Sequence, residues 1–176
     1  YKSVLKLLLI EIYAANYPAS QLLSHRYKEK IAAKQASLND LDPYLEMYRI
    51  VEEYLVAEND LARLDLVRRS FYIKTNVRLS NRSDTRIPDW QRDTLQELTN
   101  SWQWSDSNIR HLDNRGSWKV PFASKERRVL IKALQQSYVA LSKFARDHSA
   151  NQKITQTDLN ILGRKLYAVF QKKPSK

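Results

Sequence analysis

Three cations stand where phosphate chemistry would want them. Lys2 and Lys6 are one helical turn apart, so their two ammonium groups point the same way along a stripe that Tyr13 continues. Such a pair can cradle a phosphate from a helix face, or can reach solvent on its aliphatic stems. Arg68 falls at helical spacing from Leu64, Phe71 and Tyr72, which puts a permanently charged guanidinium inside an apolar stripe. Burial there requires a carboxylate or a phosphate. Asp65, one turn earlier, offers the carboxylate to Arg68 or Arg69, and an anionic ligand is the alternative.

Other chemistry has little support. Asp40-Leu41-Asp42 has the spacing of a magnesium-binding pair, but no apolar strand precedes it and no third carboxylate accompanies it. Asp42 before Pro43 reads instead as a helix entry. His25, His111 and His148 are far apart, with no paired ligand spacing, and no Gly-x-Ser-x-Gly nucleophile motif occurs. With two glycines, Gly116 and Gly163, neither a phosphate-binding glycine loop nor a dinucleotide fingerprint can be built. The chain is expected to carry no catalytic residue and no metal ligand of its own.

The elements that must position the three cations are helices. The 176 residues suffice for one domain with a real core. The spacing predicts a central helix over Leu61 to Leu79, with Leu61, Leu64, Val67, Phe71 and Tyr72 on one side and Leu66, Ile73 and Val77 on nearly the other. Two apolar sides require neighbours on both, as in the middle of a bundle. Before it come a first helix from Lys2 to about Asn16, apolar nearly all round, and a basic amphipathic segment over Ser20 to Lys34. The polar run Gln35 to Asn39 interrupts, and a long helix then starts near Asp42.

After the central helix, Asn81 to Pro88 is a polar connector, and Asp89 opens a helix with Leu95, Leu98 and Trp102. Trp90, Trp102, Trp104 and Trp118 could stack bases, but packing between helices is the favoured role. Leu112 to Lys119 reads as a turn, with Gly116 available for a positive φ and Arg115 and Lys119 at its tip. A helix from about Lys125 to His148 carries Leu130, Leu134, Ser137, Leu141 and Ala145 in register. Thr155 and Asp158 open a last helix with Leu159, Leu162, Leu166, Val169 and Phe170, ending in Arg164, Lys165, Lys172, Lys173 and Lys176. That basic end suits a helix C-terminus better than a nucleic-acid arm. The expected fold is a single all-α, bundle-like domain of about seven to nine helices spanning residues 1–176.

Thirty basic against 19 acidic residues give a net charge of +11, which favours phosphate-bearing partners without choosing among them. The absence of cysteine excludes disulfides and thiolate zinc sites and is compatible with a reducing cytoplasm. Met47 is the sole methionine and Tyr1 leads straight into a helical pattern, so the chain is expected to be a piece of a larger protein.

The segments YKSVLKLLLIEIYAANYP, LDPYLEMYRIVEEYL, RLDLVRRSFYIK, LDNRGSWKV, SYVALSKFAR and LGRKLYAVFQKKPSK occur in this order from Tyr1 almost to Lys176. Together they resemble the helical region that follows the nucleotidyltransferase-like catalytic core in class I adenylate cyclases of enterobacteria and their relatives. The resemblance implies a cytoplasmic bacterial enzyme that converts ATP to cyclic AMP and pyrophosphate with Mg2+. It places the magnesium ligands in a catalytic domain upstream and a regulatory domain downstream. It implies partnership with those two domains and, through the regulatory one, with a component of the sugar phosphotransferase system, with no membrane or nucleic-acid partner. Of the Asp-x-Asp pair only Asp42, in LDPY, matches the family pattern. In related nucleotidyltransferases the helix after the catalytic sheet lends a lysine to the triphosphate, and Lys2 and Lys6 in YKSVLK match it, with Arg68 as a third candidate. The competing reading is a basic helical module that binds nucleic acid or protein without catalysis. It calls for a clustered positive face, whereas the cyclase reading calls for a few basic groups converging on one cleft.

Overall fold

Seven α-helices can be given bounds in the computed structural model, which describes residues 1–33, 42–81, 87–148, and 157, 160, 161, 163 and 164, with the Lys2 side chain excepted. They are α1 (Lys2–Ala15), α2 (Leu23–Ala32), α3 (Pro43–Ala57), α4 (Leu61–Thr75), α5 (Asp89–Ser101), α6 (Asp106–Asp113) and α7 (Val120–Asp147). Among the described residues there is no strand, so the all-α expectation holds. Asp40, the run Gln35 to Asn39, most of the Asn81 to Pro88 connector, and the last helix with Lys165, Lys172, Lys173 and Lys176 lie largely outside the described residues. Thr157, Asn160, Ile161, Gly163 and Arg164 are helical.

Local sequence sets most boundaries. Asp42 caps α3 as expected, its Oδ1 accepting from the backbone N–H groups of Tyr44 and Leu45 at 2.8 Å, with Pro43 in the first turn. Asp60 caps α4 by accepting from the Arg63 N–H at 3.0 Å. The central helix ends four residues earlier than its periodicity suggests, because Asn76 adopts a left-handed conformation (φ 58°) that stops the helix. Val77 and Leu79 are nonetheless buried, on the segment that follows. Asp113, itself buried, fixes that segment: it accepts from the Tyr72 hydroxyl at 2.8 Å and from the Ser80 N–H at 3.0 Å. Helix α7 begins five residues before Lys125, since Pro121 sits in its first turn, where the missing N–H costs nothing. Helix α6 was not foreseen. Its cap, Ser105, accepts from the Asn108 N–H at 3.2 Å, and Ile109 and Leu112 are the residues it buries in the core.

The core sits where α1 packs against α3, α4 and α7, and α3 against α4. Leu5, Leu8, Tyr48, Val51, Leu55, Val67 and Tyr72 are almost fully buried there. Each apolar side chain of this kind stabilises the fold by about 1.5–3 kcal/mol. Helix α4 has neighbours on both sides as its two stripes require, also touching α6 and α7, although Leu61 in its first turn is 65% exposed. Trp102 plugs the core against Tyr48 and Phe71, with centroids 5.6 and 6.4 Å away, and Trp104 packs on it at 4.8 Å. Packing is therefore what Trp102, Trp104 and Trp118 do, while Trp90 lies at the surface. Gly116 has no positive φ; it belongs to a 3-10 turn, Arg115–Ser117, and Arg115 reaches back to donate to Asn76 Oδ1 at 3.1 Å instead of extending from a tip. Gly163 meets a different demand: a Cβ there would lie 2.9 Å from the Tyr138 hydroxyl oxygen.

Helix α2 buries no residue, and ion pairs hold it. Glu46 on α3, 2% exposed, takes Lys30 and, at 3.5 Å, Arg26, which also reaches Glu53 at 3.2 Å. Glu46→Ala is expected to speed amide exchange over residues 23–32 by on the order of tenfold or more, since charge-assisted contacts of this kind are worth roughly 1.5–3 kcal/mol. Exchange measured by mass spectrometry should leave α1 and α4 unchanged. Equal protection of α2 in variant and parent would show that Glu46 does not hold it.

Candidate functional site: the open face of the first helix

Helix α1 is closed on three sides by α3, α4 and α7, which bury Val4, Leu5, Leu8, Leu9 and Ile12. The expectation of a helix apolar all round therefore meets one open strip. Ser3, Lys6 and Ile10 are exposed, Ile10 to 49%, and Leu7 is half-buried beside them. Farther along, the Tyr13 hydroxyl accepts from the Leu23 N–H at 2.7 Å, so the chain entering α2 crosses there and limits the opening to the first turns. Lys6 makes no ion pair or hydrogen bond with any described residue. Lys2 is helical and one turn from it, and its side chain lies outside the described residues.

The arginines of α4 are all committed within the domain. Arg63 donates to Glu11 of α1 at 2.7 Å and to Asp60 at 2.6 Å. Burial alone would raise the Asp60 pKa, but the Arg63 backbone and side-chain hydrogen bonds outweigh it and hold the carboxyl below its ordinary value. Arg68 does not pair with Asp65. It donates through Nε and Nη2 to Glu52 Oε1 at 3.0 and 2.9 Å, and its guanidinium lies 5.9 Å from the Trp102 ring centroid. Asp65 pairs with Arg69 at 3.3 Å, the other partner that the spacing allowed, and Arg69 also meets buried Glu126 of α7 at 3.1 Å. Both arginines thus meet carboxylates of the domain, Arg69 the expected Asp65 and Arg68 the unexpected Glu52.

Among the described residues, none of four clefts gathers Lys6 and Arg68. One cleft of about 220 Å³ lies between the start of α3, the end of α4 and α5, where Tyr44, Lys74 and Trp90 meet; burial pushes the Tyr44 hydroxyl up to about 12. Another of about 250 Å³ is lined by Arg69, Trp104, His111 and Glu126. Neither of these, nor the two clefts beside α2, is lined by Lys6 or Arg68. Among the described residues no three histidine or carboxylate groups gather as a metal site. His111 stacks on Trp118 and His148 on Phe144, which leaves them apart. No described helix is long and apolar enough to cross a membrane.

Sequence reasoning missed the half-buried carboxylates Glu11 and Glu52 and the buried Glu126 and Asp113, which knit these helices together. Two left a signal. Glu11 interrupts an apolar run, and Glu126 is the one acid in α7 before Asp147.

The whole chain, residues 1–176, matches the family described as "Adenylate cyclase, class-I, second domain". Over its full length it is 40% identical to the adenylate cyclase of Proteus mirabilis, 38% to that of Pasteurella multocida and 41% to that of Yersinia intermedia. It spans about a fifth of the length of these relatives, 20%, 21% and 20% respectively. No solved structure matches it. A cysteine-free bundle of helices with its α4 arginines tied to internal carboxylates, matched end to end by this family and by these cyclases, belongs to the class I adenylate cyclase second-domain family.

Proposed function

We propose that this chain is the helical domain behind the catalytic core of a cytoplasmic class I adenylate cyclase, supporting the conversion of ATP to cyclic AMP and pyrophosphate. A nucleotidyltransferase-like domain stands upstream of it and a regulatory domain downstream, the latter being the route to a phosphotransferase-system component. Magnesium is assigned to the upstream domain; in this chain Asp42 and Asp60 serve as helix caps and Glu11 and Glu52 as ion-pair partners.

The observation that carries the reading is the contrast between α1 and α4. Lys6 is exposed and unpaired on the one open strip of a core helix, whereas Arg63, Arg68 and Arg69 are engaged by carboxylates. Cyclisation builds negative charge on the departing pyrophosphate, and a preorganised ammonium that meets that charge most strongly in the transition state raises the rate. Lys6 and Lys2 are assigned this role. Arg68 is the less available third, since it must leave Glu52 to take part.

The reading also requires that the 176-residue chain alone form no cyclic AMP from ATP and magnesium, while the full-length enzyme does. An assay on repurified fragment tests this. Turnover that scales with the fragment would mean that catalytic groups lie within these helices.

A further inference from the structure

Helix α7 presents a second charged surface, on the side away from the core. Lys125, Arg128, Lys132, Gln135, Val139, Lys143 and Arg146 recur at three- and four-residue steps and are all exposed, Val139 to 64%. Its opposite side carries Glu126, Ala133 and Ser137, which are buried. Between Lys125 and Arg146 the one acid of the helix is Glu126, which is engaged by Arg69 and the Tyr1 hydroxyl; Asp147 follows at the end of the helix, one turn from Lys143. Lys125, Arg128, Lys132 and Lys143 have no ion pair among the described residues, in contrast with the arginines of α4. These four cations of α7 stand exposed without a carboxylate partner, whereas Arg63, Arg68 and Arg69 of α4 each meet one.

We propose that the outer face of α7 docks on an acidic surface of another domain of the same polypeptide, an inference that rests on the multidomain reading above. The row is about 32 Å long at 1.5 Å per residue. Its charges fall in two groups, Lys125 to Lys132 and Lys143 to Arg146, separated by about 16 Å without charge. Each strand of a nucleic-acid duplex carries a phosphate about every 3.4 Å, so a tracking helix would leave several unmet across that gap. An uncharged centre with exposed Val139, rimmed by cations, is instead the anatomy of a protein interface. One helix face of this length and about 10 Å width offers roughly 300 Å², well short of the about 800 Å² per partner of a stable complex between separate proteins. Tethering removes that shortfall, because a linked domain is present at millimolar effective concentration. The matched span is about a fifth of the relatives' length, which leaves ample chain to supply the acidic surface.

The test is amine footprinting of the full-length enzyme with an acetylating reagent, with exposed Lys28 and Lys74 as internal references. At low salt Lys125, Lys132 and Lys143 should react at least several-fold more slowly than the references, and the difference should close in high salt. Carbodiimide should link them to Asp or Glu outside residues 1–176 of the same chain. The double variant Lys132→Glu with Lys143→Glu should lose the link from Lys125, whose amine it keeps, while Lys28→Glu with Lys74→Glu, an equal change of charge elsewhere, should retain it. Reactivity equal to the references at low salt would overturn the proposal. So would links that join two separate chains, as shown by mixing isotope-labelled and unlabelled enzyme, or protection that arises only on adding duplex DNA or anionic vesicles. Cyclic AMP formation by the same preparations separates this from the cyclase reading: absent docking with intact turnover defeats the docking alone, and docking without turnover defeats the cyclase reading alone.

Discussion

Lys6→Ala in the full-length enzyme is expected to lower the rate of cyclic AMP formation by on the order of ten- to a thousandfold while leaving the fold intact. The lower bound is the loss of one charged contact to a developing charge, and the upper is the loss of a fully preorganised stabiliser in a water-poor site. Stability should hardly move, because an exposed lysine without a partner contributes within about 0.5 kcal/mol and alanine suits a helix at least as well. Melting temperature and steady-state kinetics measured on one preparation separate the roles. A lysine that only holds the junction between domains would lose activity and stability together. Undiminished activity in both the Lys2→Ala and Lys6→Ala variants would end the phosphate assignment.

Glu11→Ala should be among the most destabilising single changes in the domain, at about 3 kcal/mol. One carboxylate there joins three helices: Oε1 accepts from Arg63 of α4 at 2.7 Å, and Oε2 from the Ser137 hydroxyl of α7 at 2.7 Å. Its removal leaves the Arg63 guanidinium, 17% exposed, with Asp60 as its one remaining carboxylate, and leaves the Ser137 hydroxyl without its acceptor. At roughly 2–4 °C per kcal/mol for a chain of this size, the melting temperature should fall by about 6–12 °C, with Glu11→Gln losing less because it keeps hydrogen-bonding atoms in place. The clasp also carries a pH signature. Asp60, on the same arginine, has a depressed pKa in the folded state. Its contribution is therefore complete above the unfolded carboxyl value of about 3.9 and is lost as pH falls through the lower folded value. Asp60→Asn should flatten that acid limb. A Glu11→Ala variant as stable as the parent would mean that the three helices do not depend on this carboxylate.

Much of the fold could be read from residue spacing because long amphipathic helices write their buried faces plainly. The two sides of α4, the Asp42 cap with Pro43, and the buried register of Leu134, Ser137 and Ala145 all follow from a period of 3.6. The errors arise where a tertiary contact decides. The end of α4 is set by Asn76 and by the Tyr72–Asp113–Ser80 lock, and Asp113 is 41 residues from Tyr72 in the chain. Helix α6 is eight residues long, too short for periodicity to announce it. The site was less legible. In the sequence Arg68 stands as a charge in need of a partner, but the carboxylate it meets, Glu52, sits on another helix and carries no local signal. Lys6 was visible as half of a stripe, yet only the packing of α3, α4 and α7 around α1 shows that its side stays open. The clustered face of α7 is hidden in the linear sequence because its lysines and arginines alternate with apolar residues there and separate from them only around the helix.

The most direct test of the phosphate assignment is to treat the full-length enzyme with an ATP analogue that carries an amine-reactive group on its γ-phosphate, and to map the modified peptides by mass spectrometry. The label should fall on Lys6 or Lys2, and excess ATP should protect them; label confined to residues outside this chain, with Lys2 and Lys6 unmodified, would contradict the account.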